Sequence, residues 1–282
     1  MKIAIASGKG GTGKTTVSVN LARTLCGPVQ LLDCDVEEPN AHLFLQGNRV
    51  KEEIVSIPVP QVDESLCDGC GECGKFCAYH AIVTFGTAPL IFPEMCHGCG
   101  GCTMVCPTKA ITEVGRRIGV VETMKSENIT LIGGRLDVGV AMAPPLIRAV
   151  KERLQNNLPA ILDAPPGTSC PVIAAIRDTD MVLLVTEPTP FGLHDLTLAV
   201  DMVRELQIPF GVIVNRMGSG DDRVHDFCEK ENIPILLEIP DDRRIAESYS
   251  RGILMVDALP EYRGLFQNLI EKITSFKKTG RN

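Results

Sequence analysis

Short, uniformly apolar runs alternate along this chain with longer stretches in which apolar residues recur every three or four positions. That is the rhythm of buried strands and the helices that cover them. Lys2–Ser7 (KIAIAS) alternates too little for a sheet with one wet face and predicts a central strand. Lys14–Cys26 follows as a helix with Val17, Leu21 and Leu25 on one face, and Val29–Asp33 as the next strand. Further strands are predicted at Ile118–Glu122, Ile129–Ile132, Ala160–Asp163, Met181–Thr186, Phe210–Asn215 and Ile235–Ile239. A helix opened by proline is predicted over Pro145–Gln155, and a last one near Glu261–Phe276. The fold class is α/β, a mostly parallel, doubly wound sheet covered on both faces.

The rhythm fails in one place. Pro58 and Pro60 break it, and residues 61–113 carry a different pattern. This segment holds two cysteine runs, Cys67, Cys70, Cys73, Cys77 and Cys96, Cys99, Cys102, Cys106, each spaced C-x2-C-x2-C-x3-C. The whole unit repeats: Cys67 to Cys77, Ala81 and Ile82 recur 29 positions on, as Cys96 to Cys106, Ala110 and Ile111. Two such halves are too small to fold singly, and bound metal supplies much of the missing core. Zinc needs four ligands at paired CxxC spacing; two thiolate quartets of this spacing favour iron–sulfur clusters.

Upstream, Ser7–Thr16 reads SGKGGTGKTT, and Gly8, Gly13, Lys14 and Thr15 satisfy G-x4-G-K-[ST] between a predicted strand and helix. Glycine lets backbone N–H groups curl around an anion, and the helix N-terminus adds its dipole. The nucleotide-binding set is therefore Gly8, Gly10, Gly11, Thr12, Gly13, Lys14, Thr15 and Thr16, with Lys14 toward the β/γ-phosphates and Thr15 on Mg²⁺. A chance glycine-rich turn is the bland alternative, and the strand–loop–helix context argues against it.

Composition narrows the setting. The hydrophobic fraction of 44% suits a full globular core. A net charge of −7 disfavours nucleic acid as a partner. The opening residues show no signal-peptide pattern and no apolar run is long enough to span a bilayer, so 12 cysteines imply a reducing cytoplasm rather than disulfides.

The second loop lysine, Lys9 in KGGTGKT, resembles the deviant phosphate loop of the MinD/ParA/nitrogenase iron protein superfamily of ATPases. The resemblance covers nearly the whole chain outside residues 61–113. It implies an ATP-dependent dimer, a homodimer or a heterodimer with a paralogue, in which Lys9 reaches ATP held by the opposite subunit. It further implies that Asp35, in LLDCDVEEPNAH, positions the attacking water, with Asp33 supporting the magnesium shell. Those two aspartates lie in what matches the family's first switch; in DAPPG, which matches the second switch, Asp163 would hold a magnesium-bound water and the Gly167 amide would sense the γ-phosphate, while Asn215 in VNRMG would read adenine. Each aspartate also fits a turn cap after a buried strand, but three in this order favour the site.

The cysteine segment is similar to bacterial-type ferredoxins, where the fourth cysteine of each run serves the other cluster. The resemblance implies one [4Fe–4S] cluster on Cys67, Cys70, Cys73 and Cys106, and a second on Cys96, Cys99, Cys102 and Cys77. Pro107 follows Cys106 as ferredoxins have it, whereas Ala78 follows Cys77. Together the motifs resemble MinD-superfamily ATPases with an inserted ferredoxin domain: an ATPase domain of residues 1–60 and 114–282, and an insert of residues 61–113.

Outside the insert, Cys26, Cys34 and Cys228 read as packing, while Cys170, near a helix start after the second switch, also fits a metal site. In the last helix, Leu265, Phe266, Leu269, Ile270, Ile273 and Phe276 form an apolar stripe beside Lys272, Lys277 and Lys278. It fits core packing better than the membrane grip of MinD, so membrane contact is not expected. The function expected is an ATP switch coupled to electron transfer and docking a redox partner protein. The alternative is an ATP-dependent assembler or carrier of iron–sulfur or another metallocofactor. A third reading, spatial positioning on membrane or nucleoid, fits the charge least.

Overall fold

A computed structural model describes residues 1–86 and 88–279, with side chains to residue 275. In chain order the strands and helices are β1 (Lys2–Ala6), α1 (Lys14–Thr24), β2 (Val29–Asp33), β3 (Asn48–Val62), α2 (Glu72–Phe76), β4 (Ile82–Phe85), β5 (Ala88–Ile91), α3 (Gly101–Val105), β6 (Ile111–Ser126), β7 (Ile129–Leu136) and α4 (Ala143–Glu152). There follow β8 (Ala160–Asp163), α5 (Cys170–Ile176), β9 (Met181–Thr186), α6 (Pro190–Glu205), β10 (Phe210–Met217), α7 (Arg223–Lys230), β11 (Ile235–Pro240), α8 (Arg243–Ser250), α9 (Met255–Ala258) and α10 (Arg263–Thr279).

Among the described residues one nine-stranded sheet runs β11-β10-β9-β1-β8-β2-β7-β6-β3. It is parallel from β11 to β7 and antiparallel at β6 and β3. The sheet is an α/β fold with β1, β2 and β8 central, so their side chains are buried almost without exception. One face carries Leu32, Leu162, Val182 and Val212 against α4, α5 and α6; the other carries Ile3, Leu31 and Ile161 against α1 and α10. Alternate residues of one strand serve opposite faces, as the pleat requires.

β2, β8 and β9 occupy the predicted spans. The largest difference lies at β3, where the prolines were expected to end regular structure. β3 instead runs through Pro58 and Pro60, paired with β6 from Asn48↔Lys125 to Val62↔Ile111. Proline is tolerated because β3 is the sheet's edge, and two prolines at even spacing turn the same side of the strand outward. The first part of β3 is exposed and charged, so it shows no burial alternation to read.

β3 and β6 thus form a ribbon that leaves the main sheet and carries the cysteine segment at its far end. The expected boundaries meet on that ribbon, since Pro60 pairs with Glu113. Beyond it, the 29-residue repeat is written into the backbone. α2 and α3, the starts of β4 and β6, and the left-handed pairs Gly69/Gly98, Gly71/Gly100 and His80/Lys109 all recur at that interval.

In α10, Phe266, Leu269 and Ile273 are buried in the core, and the Lys272 ammonium donates to the Leu236 carbonyl at 2.8 Å. The side chains of Phe276, Lys277 and Lys278 lie outside the described residues. No helix among the described residues is long and apolar enough to cross a membrane.

Candidate nucleotide site and cysteine-lined cavities

The loop between β1 and α1 sits at the carboxyl ends of the central strands, where a parallel sheet opens a crevice. Its glycines are there for space and torsion. A Cβ on Gly8 would lie 2.1 Å from the Asp195 carbonyl oxygen of α6. Gly13 has φ +96, and a Cβ there would lie 2.4 Å from Nδ2 of Asn215. That amide donates to the Thr12 carbonyl at 2.8 Å, so Asn215 is tied to the loop that it was expected only to neighbour. The Gly167 N–H donates to the Ser7 carbonyl at 3.0 Å, which places the second-switch glycine on the loop, its amide engaged there.

Acidic residues converge beneath. Asp33 and Asp163 are register partners at the ends of β2 and β8, and each is 1% exposed. The Asp33 carboxylate accepts the Asp35 N–H at 3.2 Å and those of Asn40 and Ala41 at 3.0 Å, fixing the loop that carries Asp35. Neither Asp163 oxygen makes a hydrogen bond of good geometry among the described residues, though the Thr15 and Ser18 hydroxyls lie close enough to favour its charged form; the buried Thr12 hydroxyl is unpartnered. Burial, then mutual repulsion, raises Asp33; burial raises Asp163, opposed by the nearby Thr15 hydroxyl and the Lys14 ammonium. Burial pushes Asp35 up to about 6, opposed by Lys14. Lys14 is lowered by burial, with Asp163 and Asp35 pulling it back. Asp163 and Asp35 thus act on the one ammonium and Asp33 adjoins both carboxylates, an acidic excess that suits a divalent cation. Thr15, Asp33 and Asp163 fit magnesium on this ground, the buried Asp163 oxygens above all.

One contact had no sequence signal. Lys9 Nζ lies 3.6 Å from Oε2 of Glu187, whose Oε1 takes Arg216 at 2.7 Å. Glu187 is the residue after β9, and only the fold brings it to the loop.

In the cysteine segment the two runs exchange partners. Cys67, Cys70, Cys73 and Cys106 line one small pocket. Cys77, Cys96, Cys99 and Cys102 line the other. Among the described residues no three His, Cys, Asp or Glu side chains close tightly enough to hold a single metal ion. The thiols instead surround voids. Gly98 donates its N–H to Cys96 Sγ at 3.4 Å. Burial raises the Cys73 thiol, and raises Cys102 to about 11. Burial pushes Cys106 up as well, but the Thr108 hydroxyl and the Ala110 and Ile111 amides outweigh it and bring the thiol below its ordinary value. At the matching position after Cys77 stands Tyr79, its ring stacked on His97 at 3.6 Å. The second cavity also borders Pro58 and Pro60 of β3.

Of the remaining cysteines, Cys34 and Cys228 are buried as expected, while Cys26 and Cys170 are exposed. Cys26 lies just beyond the end of α1 and Cys170 in the first turn of α5, where neither helix packs its side chain inward.

Residues 3–255 match the family described as CobQ/CobB/MinD/ParA nucleotide binding domain. Two uncharacterized proteins of Methanocaldococcus jannaschii are 32% and 31% identical to this chain, each across 98% of it and 97% of their own length. An iron-sulfur cluster carrier protein of Pyrococcus horikoshii is 25% identical across 99% of this chain and 88% of its own. The septum site-determining protein MinD of Pyrococcus horikoshii, solved with Mg-ADP, shares the fold with a TM-score of 0.59. That likeness covers 96% of this chain and 95% of MinD at 22% identity.

Proposed function

Because the chain belongs to the CobQ/CobB/MinD/ParA nucleotide-binding family and is an ATPase of the MinD/ParA type, we propose that its ATP cycle is coupled to electron transfer through two [4Fe–4S] clusters in an inserted ferredoxin-like domain, residues 61–113. The observation that carries this reading is the exchange of cysteines: Cys106 joins the first run's cavity and Cys77 the second's. Cross-ligation of that kind ties the two halves into one closed unit, which suits a permanent electron carrier. The clusters, when bound, supply one-electron transfer.

In the ATPase, Lys14 and the loop amides bind the phosphates, and Gly8, Gly10, Gly11, Thr12, Gly13, Thr15 and Thr16 shape the cradle. Thr15, Asp33 and Asp163 would hold magnesium, which would supply neutralisation of the phosphate charge. Asp35 orients the attacking water and Asn215 meets the base. Gly167 exchanges its Ser7 contact for the γ-phosphate. Lys9 reaches ATP across a dimer of two copies, or of this chain and a paralogue, and a redox partner protein docks on the insert.

Reconstituted protein should hold about eight irons, and Cys67→Ser should lower iron content while nucleotide binding is retained. Full loading with about four irons sinks the two-cluster reading. ATPase rates should differ between dithionite-reduced and oxidised protein; equal rates remove the support for coupling.

A second reading, an ATP-dependent iron–sulfur or metallocofactor carrier, is favoured by the named carrier of Pyrococcus horikoshii and by the exposed Cys170 after the second switch. Cluster transfer to an apo-acceptor only when ATP is present would decide for it.

A further inference from the structure

We infer that Glu187 is a positioning residue that decides whether Lys9 stays with its own subunit or reaches toward a second copy. The inference rests on the reading of Lys9 as the lysine that crosses the dimer.

Glu187 is held where it can do this. Its backbone carbonyl accepts the Thr189 N–H at 2.8 Å, and α6 packs so closely that a Cβ on Gly192 would lie 2.2 Å from that oxygen. Its side chain is 11% exposed against 33% for Lys9, so the fixed partner is the carboxylate and the movable one is the lysine. An ammonium engaged with Glu187 is turned back along its own subunit and is unavailable to a neighbour's phosphates.

The carboxylate is also shared. Arg216 takes the other oxygen at the shorter distance, 2.7 Å against 3.6 Å. Arg216 follows Asn215, which donates to the Thr12 carbonyl, and adopts a left-handed φ of +56. One carboxylate therefore joins the loop lysine to the end of β10 that approaches the base. With Arg216 in place, Glu187 divides its charge; without Arg216, the whole charge falls to Lys9. The two partners compete, and that competition gives opposite signs to two substitutions.

Cluster-loaded protein is titrated anaerobically with Mg-AMP-PNP and the dimer fraction read by sedimentation velocity. Titration with ADP, read on the same samples, separates nucleotide affinity from dimerisation. Glu187→Gln should halve-saturate the dimer at about two- to five-fold less AMP-PNP, the scale of a partly exposed ion pair. Arg216→Gln should shift it by a similar factor toward more. Shifts in the same direction, or no shift in either, overturn the inference, since a purely structural Glu187 would make both losses alike. Lys9→Ala separates the two readings: it should abolish the nucleotide-dependent dimer. A wild-type dimer fraction in Lys9→Ala rejects the crossing role of Lys9 itself, and Glu187 then has nothing to position.

Discussion

Gly13→Ala, taken with Asn215→Ala in a double-mutant cycle, tests the geometry of the phosphate loop. At φ +96 an alanine pays backbone strain of about 1–3 kcal/mol. Its Cβ would also stand 2.4 Å from Nδ2 of Asn215, so the amide must leave and its 2.8 Å bond to Thr12 is lost, about 1 kcal/mol more. The single substitution should therefore cost about 2–4 kcal/mol, felt as a loss of nucleotide affinity of about 30-fold or more. Asn215→Ala alone removes the hydrogen bond, about 1 kcal/mol. In the double variant the bond has already gone and the clash has no partner, so the combined cost should fall short of the sum by about 1 kcal/mol. The readout is affinity for a fluorescent ATP analogue, with the thermal unfolding midpoint as a second measure of the same cycle. Additivity within about 0.3 kcal/mol would refute the reasoning, because it would mean that Gly13 and Asn215 do not meet.

Two further outcomes follow from burial. Asp163→Asn removes a buried charge whose desolvation outweighs the help of Thr15 and Lys14, so in EDTA the variant should be as stable as wild type or more so, by up to about 2 kcal/mol in denaturant unfolding. With Mg-ATP present the order should invert, since only wild type gains from the ligand; a variant already weaker in EDTA contradicts the assignment of Asp163 as a carboxylate awaiting a cation. Phe266→Ala empties a side chain with 0% exposure, and should cost about 3–5 kcal/mol of stability by denaturant titration. A loss under about 1 kcal/mol would mean that α10 is not held by this face.

The buried parts of the fold were legible because burial writes itself into sequence. β2, β8 and β9 lie under helices on both faces, so their apolar runs end where the strands do. β3 was illegible for the converse reason: an edge strand exposed on most positions carries charge and proline, which no periodicity marks. Within the site, glycine spacing marked the phosphate loop, and the resemblance to ferredoxins implied which cysteines of the two runs share a cavity. Glu187 could not be read, because its partners Lys9 and Arg216 lie far off along the chain and meet it only across the sheet. The hydrogen bond from Asn215 to Thr12 was hidden in the same way.

The two cysteine cavities are not equivalent with respect to the ATPase. Cys96 and Ala81 belong to the same contiguous core as Leu32, Cys34 and Val36, and Cys77 packs against it; Cys73 of the first quartet and Cys102 of the second share a small core with Ile82 and Ile111. Val36 follows Asp35, and its carbonyl accepts the Leu136 N–H of β7 at 2.9 Å. A Cβ on Gly134 would lie 2.6 Å from Val36 and 2.9 Å from Val150 of α4, so strand, switch and helix are in contact without slack. Arg153, at the end of α4, pairs with Glu53 of β3 at 3.2 Å, and Pro58 and Pro60 of that strand border the second cavity. A displacement of the Asp35 loop therefore has a close-packed route to the cavity of Cys77, Cys96, Cys99 and Cys102, through β7, α4 and β3. Close packing transmits such a displacement as a repacking between discrete arrangements rather than as a graded strain. If the proposed clusters are present, a nucleotide effect on them should fall first on the quartet of Cys77, Cys96, Cys99 and Cys102, whose cavity borders Pro58 and Pro60 of β3.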